Sequence, residues 1–215
     1  MKDIFGLTSQ EEITIESLNA ITHGIASLIS ILGIALLLFK NEVSLFNHYW
    51  FAYIIYGISM LCLFINSTVY HSFSFTRYKN ILQKFDHASI YLFIAGTYTP
   101  YIMIKINSQP LIIMLIMIWI LAIAGIIFEI IWTNRFPLIS TLLYLGLGWL
   151  SIFMIYPLIK HMASYGILLL VLGGIIYSIG TYFYRKKHNK WMHVLWHLFV
   201  MAAALSMYLS IYFYT

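Results

Sequence analysis

Seven ionisable side chains interrupt otherwise apolar stretches of this chain: His23, His71, Asp86, His87, Glu129, His193 and His197, with Ser67 close by. Ionisable groups at membrane depth are expensive, so each is a functional candidate by default. His193 and His197 stand at i and i+4, which puts both imidazoles on one face of a helix, one turn apart. Ser67 and His71 share that spacing. Three neutral imidazoles and one open position are what catalytic zinc uses, with Zn–N distances of about 2.0–2.1 Å. The open position holds a water whose pKa falls to about 7 on the metal. His71, His193 and His197 are therefore the expected ligands of a Zn2+ ion. Asp86 is positioned to accept the proton of the water, and Ser67 to orient the water or steady an oxyanion.

Each of these residues has a plainer reading when taken alone. An intramembrane histidine commonly bridges helices by hydrogen bonding. An aspartate at a helix start caps it, and a serine bonds its own helix backbone. Depth argues for the site. His193 and His197 follow Lys190 by three and seven residues, about 5 and 10 Å along a helix, and His71 precedes Arg77 by six, about 9 Å. If these helices start and end at one membrane face, the three histidines and Asp86, which opens the third helix, share a thin layer beneath it.

The elements that must position them follow from composition. Of 215 residues, 62% are hydrophobic and 9% charged, and mean hydropathy is +0.88. A soluble domain carries about 25% charged residues. The scarce charges divide the chain into windows 17–39, 43–76, 87–104, 106–128, 136–159, 161–184 and 191–215. Each is long enough to span as a helix, which takes roughly 17–25 residues. Barrel strands would alternate apolar and polar residues, and runs such as Leu111–Ile118 do not. The expected fold is all-α: a short cytoplasmic segment, 1–16, then one seven-transmembrane helix bundle, 17–215. Nine basic residues (Lys2, Arg77, Lys79, Lys84, Arg135, Arg185, Lys186, Lys187 and Lys190) fall on one side, against Lys40, Lys105 and Lys160 on the other. The positive-inside rule then puts the N-terminus in the cytoplasm and the C-terminus outside. The net charge of +5 is thus a topology signal and not a nucleic-acid footprint; the expected partners are membrane lipids.

The other polar residues read more simply. Glu129 is expected to be a carboxyl paired with a Tyr, Arg or His, a proton relay being the alternative. Glu16, Asn19 and His23 fall at i, i+3 and i+7 on one helix face and are expected to hydrogen-bond helices together or to seal the mouth of the site. His87 points about 100° away from Asp86 and is not counted as a ligand. His48, His161 and His188 fall in loops, and Cys62, the one cysteine, reads as inert packing. Pro100 and Pro157 should kink their helices, and Gly146, Gly148, Gly173, Gly174 and Gly180 should let helices approach closely. Glu11, Glu12 and Glu16 precede the first apolar window, unlike the basic start of a signal peptide.

Ser67-x-x-x-His71, the Asp86 of F-D-H-A-S-I-Y, and His193-x-x-x-His197 together resemble the signature of the hemolysin III proteins, grouped with the progestin and adipoQ receptors that include the adiponectin receptors. The segments N-A-I-T-H-G (19–24) and I-A-G-T-Y-T-P-Y (94–101) resemble the bacterial branch. The resemblance spans nearly the whole chain. It implies a seven-helix fold with the N-terminus inside, a bacterial plasma membrane location, zinc on the residues matching His71, His193 and His197, and Asp86 acting through water. Alkaline ceramidases in the wider superfamily imply hydrolysis of a lipid amide. The alternatives are a membrane-homeostasis sensor or receptor with structural zinc, and the cytolysin that the family name suggests.

Overall fold

The computed structural model describes residues 9–40, 49–186 and 188–215, and every regular element among them is helical. In chain order these are α1 (Ser9–Leu38), α2 (Tyr49–Ser72), α3 (Lys79–Pro100), a π-helical turn (Tyr101–Ile106), α4 (Gln109–Trp132), α5 (Pro137–Trp149), α6 (Ile152–His161), α7 (Ser164–Arg185) and α8 (Trp191–Tyr214). Lys2 and His48 lie outside the described residues.

Six helical stretches are long and apolar enough to cross a membrane: α1, α2, α4, the α5–α6 pair taken together, α7 and α8. The chain is a multi-pass membrane protein. Its side chains are sorted as a bilayer requires. On α1, Leu28, Ile29 and Leu32 are exposed, while Asn19, His23, Ser27 and Ser30 are buried. A soluble helix would show the reverse. α3 is not among the six, since Lys79, Lys84, Asp86 and His87 lower its hydropathy.

Consecutive helices α1 to α4 pack side by side, α8 packs on α7, and α8 returns against α1. This return brings the last helix beside the first two. Gly166, Gly173 and Gly180 recur every seven residues on α7, so one face approaches α8 closely. A Cβ there would lie 2.7 Å from Tyr214, 3.0 Å from Met207 and 2.9 Å from Phe199. Gly146, Gly148 and Gly174, expected to do the same, face open space within 4 Å. Gly148 and Gly174 instead border a cavity.

Two boundaries differ from the sequence expectation. α1 begins at Ser9, so Glu11, Glu12 and Glu16 already belong to it. α3 begins at Lys79, so Asp86 lies about 10 Å inside the helix and does not cap it. The span formed by α5 and α6 breaks at Leu150–Ser151, ahead of Pro157, which sits within α6. The Tyr98 hydroxyl bonds there to the carbonyls of Leu147 and Gly148, at 2.9 and 2.6 Å. A broken backbone at membrane depth is tolerated where it is buried in protein or lines a cavity, as here. Pro100 ends α3 at the start of the π-helical turn.

Candidate metal centre

α8 presents His193 and His197 in its first two turns, and their Nε2 atoms lie 3.2 Å apart. α2 brings His71 in its last turn, with ring centroids 5.2 Å from His193 and 4.9 Å from His197. One ligand atom from each of the three lies within 4.8 Å of the others, and the group could hold a metal ion. Tetrahedral ligands at Zn–N of about 2.0–2.1 Å stand about 3.3–3.4 Å apart. The His193–His197 pair already has that separation. His71 needs to close by at most about 1.4 Å, within reach of a side-chain rotation.

The ring nitrogens are sorted for such a role. His71 Nδ1 lies 2.7 Å from Glu16 Oε2. Its Nε2 is buried and without a hydrogen-bond partner among the described residues. His197 is 1% exposed; its Nδ1 is 3.5 Å from the Thr22 hydroxyl, and the Asn19 backbone carbonyl is in hydrogen-bond range of the ring. A carboxylate or carbonyl on one ring nitrogen fixes the tautomer and frees the other for metal. The residues therefore fit a metal ion by the orphaned Nε2 of His71 and by their donor chemistry.

Glu16, Asn19 and Thr22 thus support the histidines from α1. The i, i+3 spacing of Glu16 and Asn19 signalled a shared face, but not the role of Glu16 as partner of His71. The helix-bridging expectation for this face holds for Glu16, which ties α1 to α2. His23 differs: it stacks on His197 at 3.7 Å with the rings 8° from parallel, and neither of its buried nitrogens has a partner among the described residues.

Asp86 and Ser67 line a cavity of about 380 Å³ together with His193 and His197. Ser67 is 2% exposed and borders the same cavity as the Asp86 carboxyl. The rest of the wall is mainly apolar and aromatic, extending to Tyr101, Met154 and Met207. A second, more polar cavity of about 240 Å³ lies beside it, bordered by Glu16, Asn19, His71, Lys79 and Lys190. His87 Nδ1 lies 2.8 Å from Glu129 Oε1, and His87 is not among the three histidines that could hold a metal ion. Of the histidines read as loop residues, His161 ends α6 and His188 lies in the turn before α8. Cys62 is half-buried in mid-α2 and free.

A family profile described as Haemolysin-III related matches residues 11–208. The "Hemolysin-3 homolog" of Bacillus subtilis (strain 168) is 41% identical over 209 residues, covering 96% of this chain and 95% of that protein. "Hemolysin-3" of Bacillus cereus is 39% identical over 199 residues, covering 93% and 91%. The human "Monocyte to macrophage differentiation factor" is 28% identical over 166 residues, covering 74% and 68%. With its membrane helices, its three converging histidines and this match over most of its length, the chain belongs to the haemolysin-III related family.

Proposed function

We propose that this protein is a zinc-dependent hydrolase of the bacterial plasma membrane that cuts an acyl–amide bond of a lipid. The observation that carries the reading is the junction of two features. Three imidazoles with one orphaned Nε2 meet at the end of an apolar cavity, and a carboxylate and a serine line that same cavity. A zinc ion on His71, His193 and His197 supplies Lewis-acid polarisation of a water or a carbonyl oxygen.

The chain's own residues do the rest. From His193 to Met207 the cavity follows α8 for about 21 Å. One leaflet of hydrocarbon is about 15 Å deep, so a fatty acyl chain can lie along that wall. Ser67 orients the Asp86 carboxylate, and Asp86 takes the proton of the attacking water. The apolar lining keeps bulk water away from the acyl carbon.

Such a site needs α3 to span as a seventh helix. Its Asp86 and His87 face cavities and its Tyr91, Ala95 and Tyr98 are buried, so it does not need an apolar lipid face of the usual extent. The asymmetry of basic residues then puts the N-terminus and the metal layer at the cytoplasmic face. The Bacillus relatives support a bacterial plasma membrane.

Elemental analysis with turnover of a lipid-amide panel tests the proposal. One zinc per wild-type chain is expected, lost in His71→Ala, while Asp86→Asn keeps zinc and loses turnover by at least 100-fold. Protein with one zinc and no turnover of any panel member refutes it. A sensor or receptor with structural zinc is the second reading, favoured by the way Glu16, His71 and His197 tie α1, α2 and α8 together. It expects Asp86→Asn to retain cellular function.

A further inference from the structure

A second buried ionisable pair lies outside the three histidines. Glu129, near the end of α4, is 1% exposed. Its Oε1 is 2.8 Å from His87 Nδ1 on α3, and its Oε2 accepts the Ser140 hydroxyl of α5 at 2.8 Å. The Tyr144 hydroxyl donates to the His87 backbone carbonyl at 3.4 Å. Withdrawing a carboxylate from water is costly unless it is paired and hydrogen-bonded. A pair kept at this depth is a candidate for function.

The geometry says what that function would be. Two donors fix the orientation of Glu129, and His87 Nδ1 is committed to it. His87 Nε2 is the nitrogen left to serve another group. Three side chains border both the apolar cavity and the polar vestibule: His87, Tyr184 and His193. Tyr184 lies between the two histidines, 6.5 Å from the His87 ring and 6.2 Å from His193. An amphiphile with its acyl chain in the apolar cavity directs its leaving group toward the vestibule, and so toward His87. Asp86, one residue earlier, lines only the apolar side.

We propose that His87, positioned by Glu129, is the acid that protonates the leaving nitrogen of an acyl–amide substrate. The proposal rests on the hydrolase reading. In the step, water gives a proton to Asp86 and its oxygen bonds to the acyl carbon. The C–N bond breaks, and the nitrogen takes the proton from His87 Nε2. The acid and the amine are released, leaving Asp86 protonated and His87 neutral. The proton returns from Asp86 to His87 through water in the cavity both residues line, which restores the starting state. His87 touches the reacting nitrogen and is the catalytic residue; Glu129 acts through it.

The test uses two probes that differ in their leaving group: N-palmitoylethanolamine, whose nitrogen must be protonated, and para-nitrophenyl palmitate, whose phenolate leaves unaided. Wild type, His87→Gln, Glu129→Gln and the milder Ser140→Ala are compared in full-length, zinc-loaded protein, with zinc content and melting temperature recorded. For His87→Gln and Glu129→Gln, kcat/KM on the amide should fall by about 100-fold or more. The ester should change by less than about threefold, with zinc unchanged. Ser140→Ala, which keeps both His87 and Glu129, should show the same selectivity at smaller size, and it carries the test if the other two do not fold. Equal losses on both probes, or no loss on the amide, overturn the proposal while leaving the hydrolase reading intact. Wild type that cleaves neither probe removes the hydrolase reading and this proposal with it.

Discussion

The contact between Glu16 and His71 gives a direct measure of whether the three histidines form a metal site. Glu16→Gln keeps the size of the side chain and an oxygen acceptor while removing its negative charge. The carboxylate lies 2.7 Å from His71 Nδ1, with the two side chains 13% and 3% exposed, so little solvent screens the pair. Outer partners of metal-bound histidines are worth about 10–100-fold in affinity, or about 1.4–2.8 kcal/mol at 1.4 kcal/mol per factor of ten. The burial points to the upper half of that range, and a zinc Kd about 30–100-fold weaker is expected. Competition with a fluorescent zinc chelator in detergent micelles reads the constant. Glu12→Gln is the control, because Glu12 pairs with Lys190 nearby and touches none of the histidines. It should leave Kd within about twofold, as expected of a partly exposed ion pair. His71→Ala sets the ceiling by removing the ligand itself. If Glu16→Gln and Glu12→Gln bind zinc equally well, the carboxylate does not support the ligand and the assignment of Nε2 to metal fails.

Protons compete with metal for imidazole nitrogens, whose ordinary pKa is about 6.5. The stabilisation that zinc gives should therefore be present at neutral pH and weaken as pH falls, until thermal scans of loaded and stripped protein coincide in acid. Tyr98→Phe should lower stability by about 1–3 kcal/mol, because it strips a donor from the carbonyls of Leu147 and Gly148 at the break between α5 and α6; its zinc content should stay unchanged. Gly180→Ala should cost about 1–3 kcal/mol by overpacking against Phe199 and Trp196. Gly174→Ala, with open space at its Cβ, should cost nothing, and equal melting temperatures for the two would count against the close α7–α8 contact.

Much of this arrangement could be read from residue types and spacing. Charges are so scarce that they mark nearly every helix boundary, and the i, i+4 spacing of His193 and His197 fixes a shared face whatever the tertiary structure. The expectation that His71 joins them rested on seven alternating spans, with α3 counted as one. The reading ran out where a partner comes from a distant segment. Glu16 and His71 are 55 residues apart, and His87 and Glu129 are 42 apart. A sequence could say that Glu129 needs a Tyr, Arg or His, but not which one. The break at Leu150–Ser151 has no proline to announce it, because what stabilises it is a hydroxyl from α3. The start of α3 was placed too late because Lys79 and Lys84 resemble loop residues, although they form the outer turns of a continuous helix.

The three histidines draw on helices far apart in sequence: His71 from α2, its supports from α1, and the other two histidines from α8. During synthesis the first two helices enter the bilayer long before the last is made. Until then His71 has its carboxylate but no fellow imidazoles. A chain truncated anywhere before Trp191 lacks both α8 histidines, so on the proposed reading metal loading would report that α8 has docked beside α1 and α2. Products that stop short of α8 would stay apo.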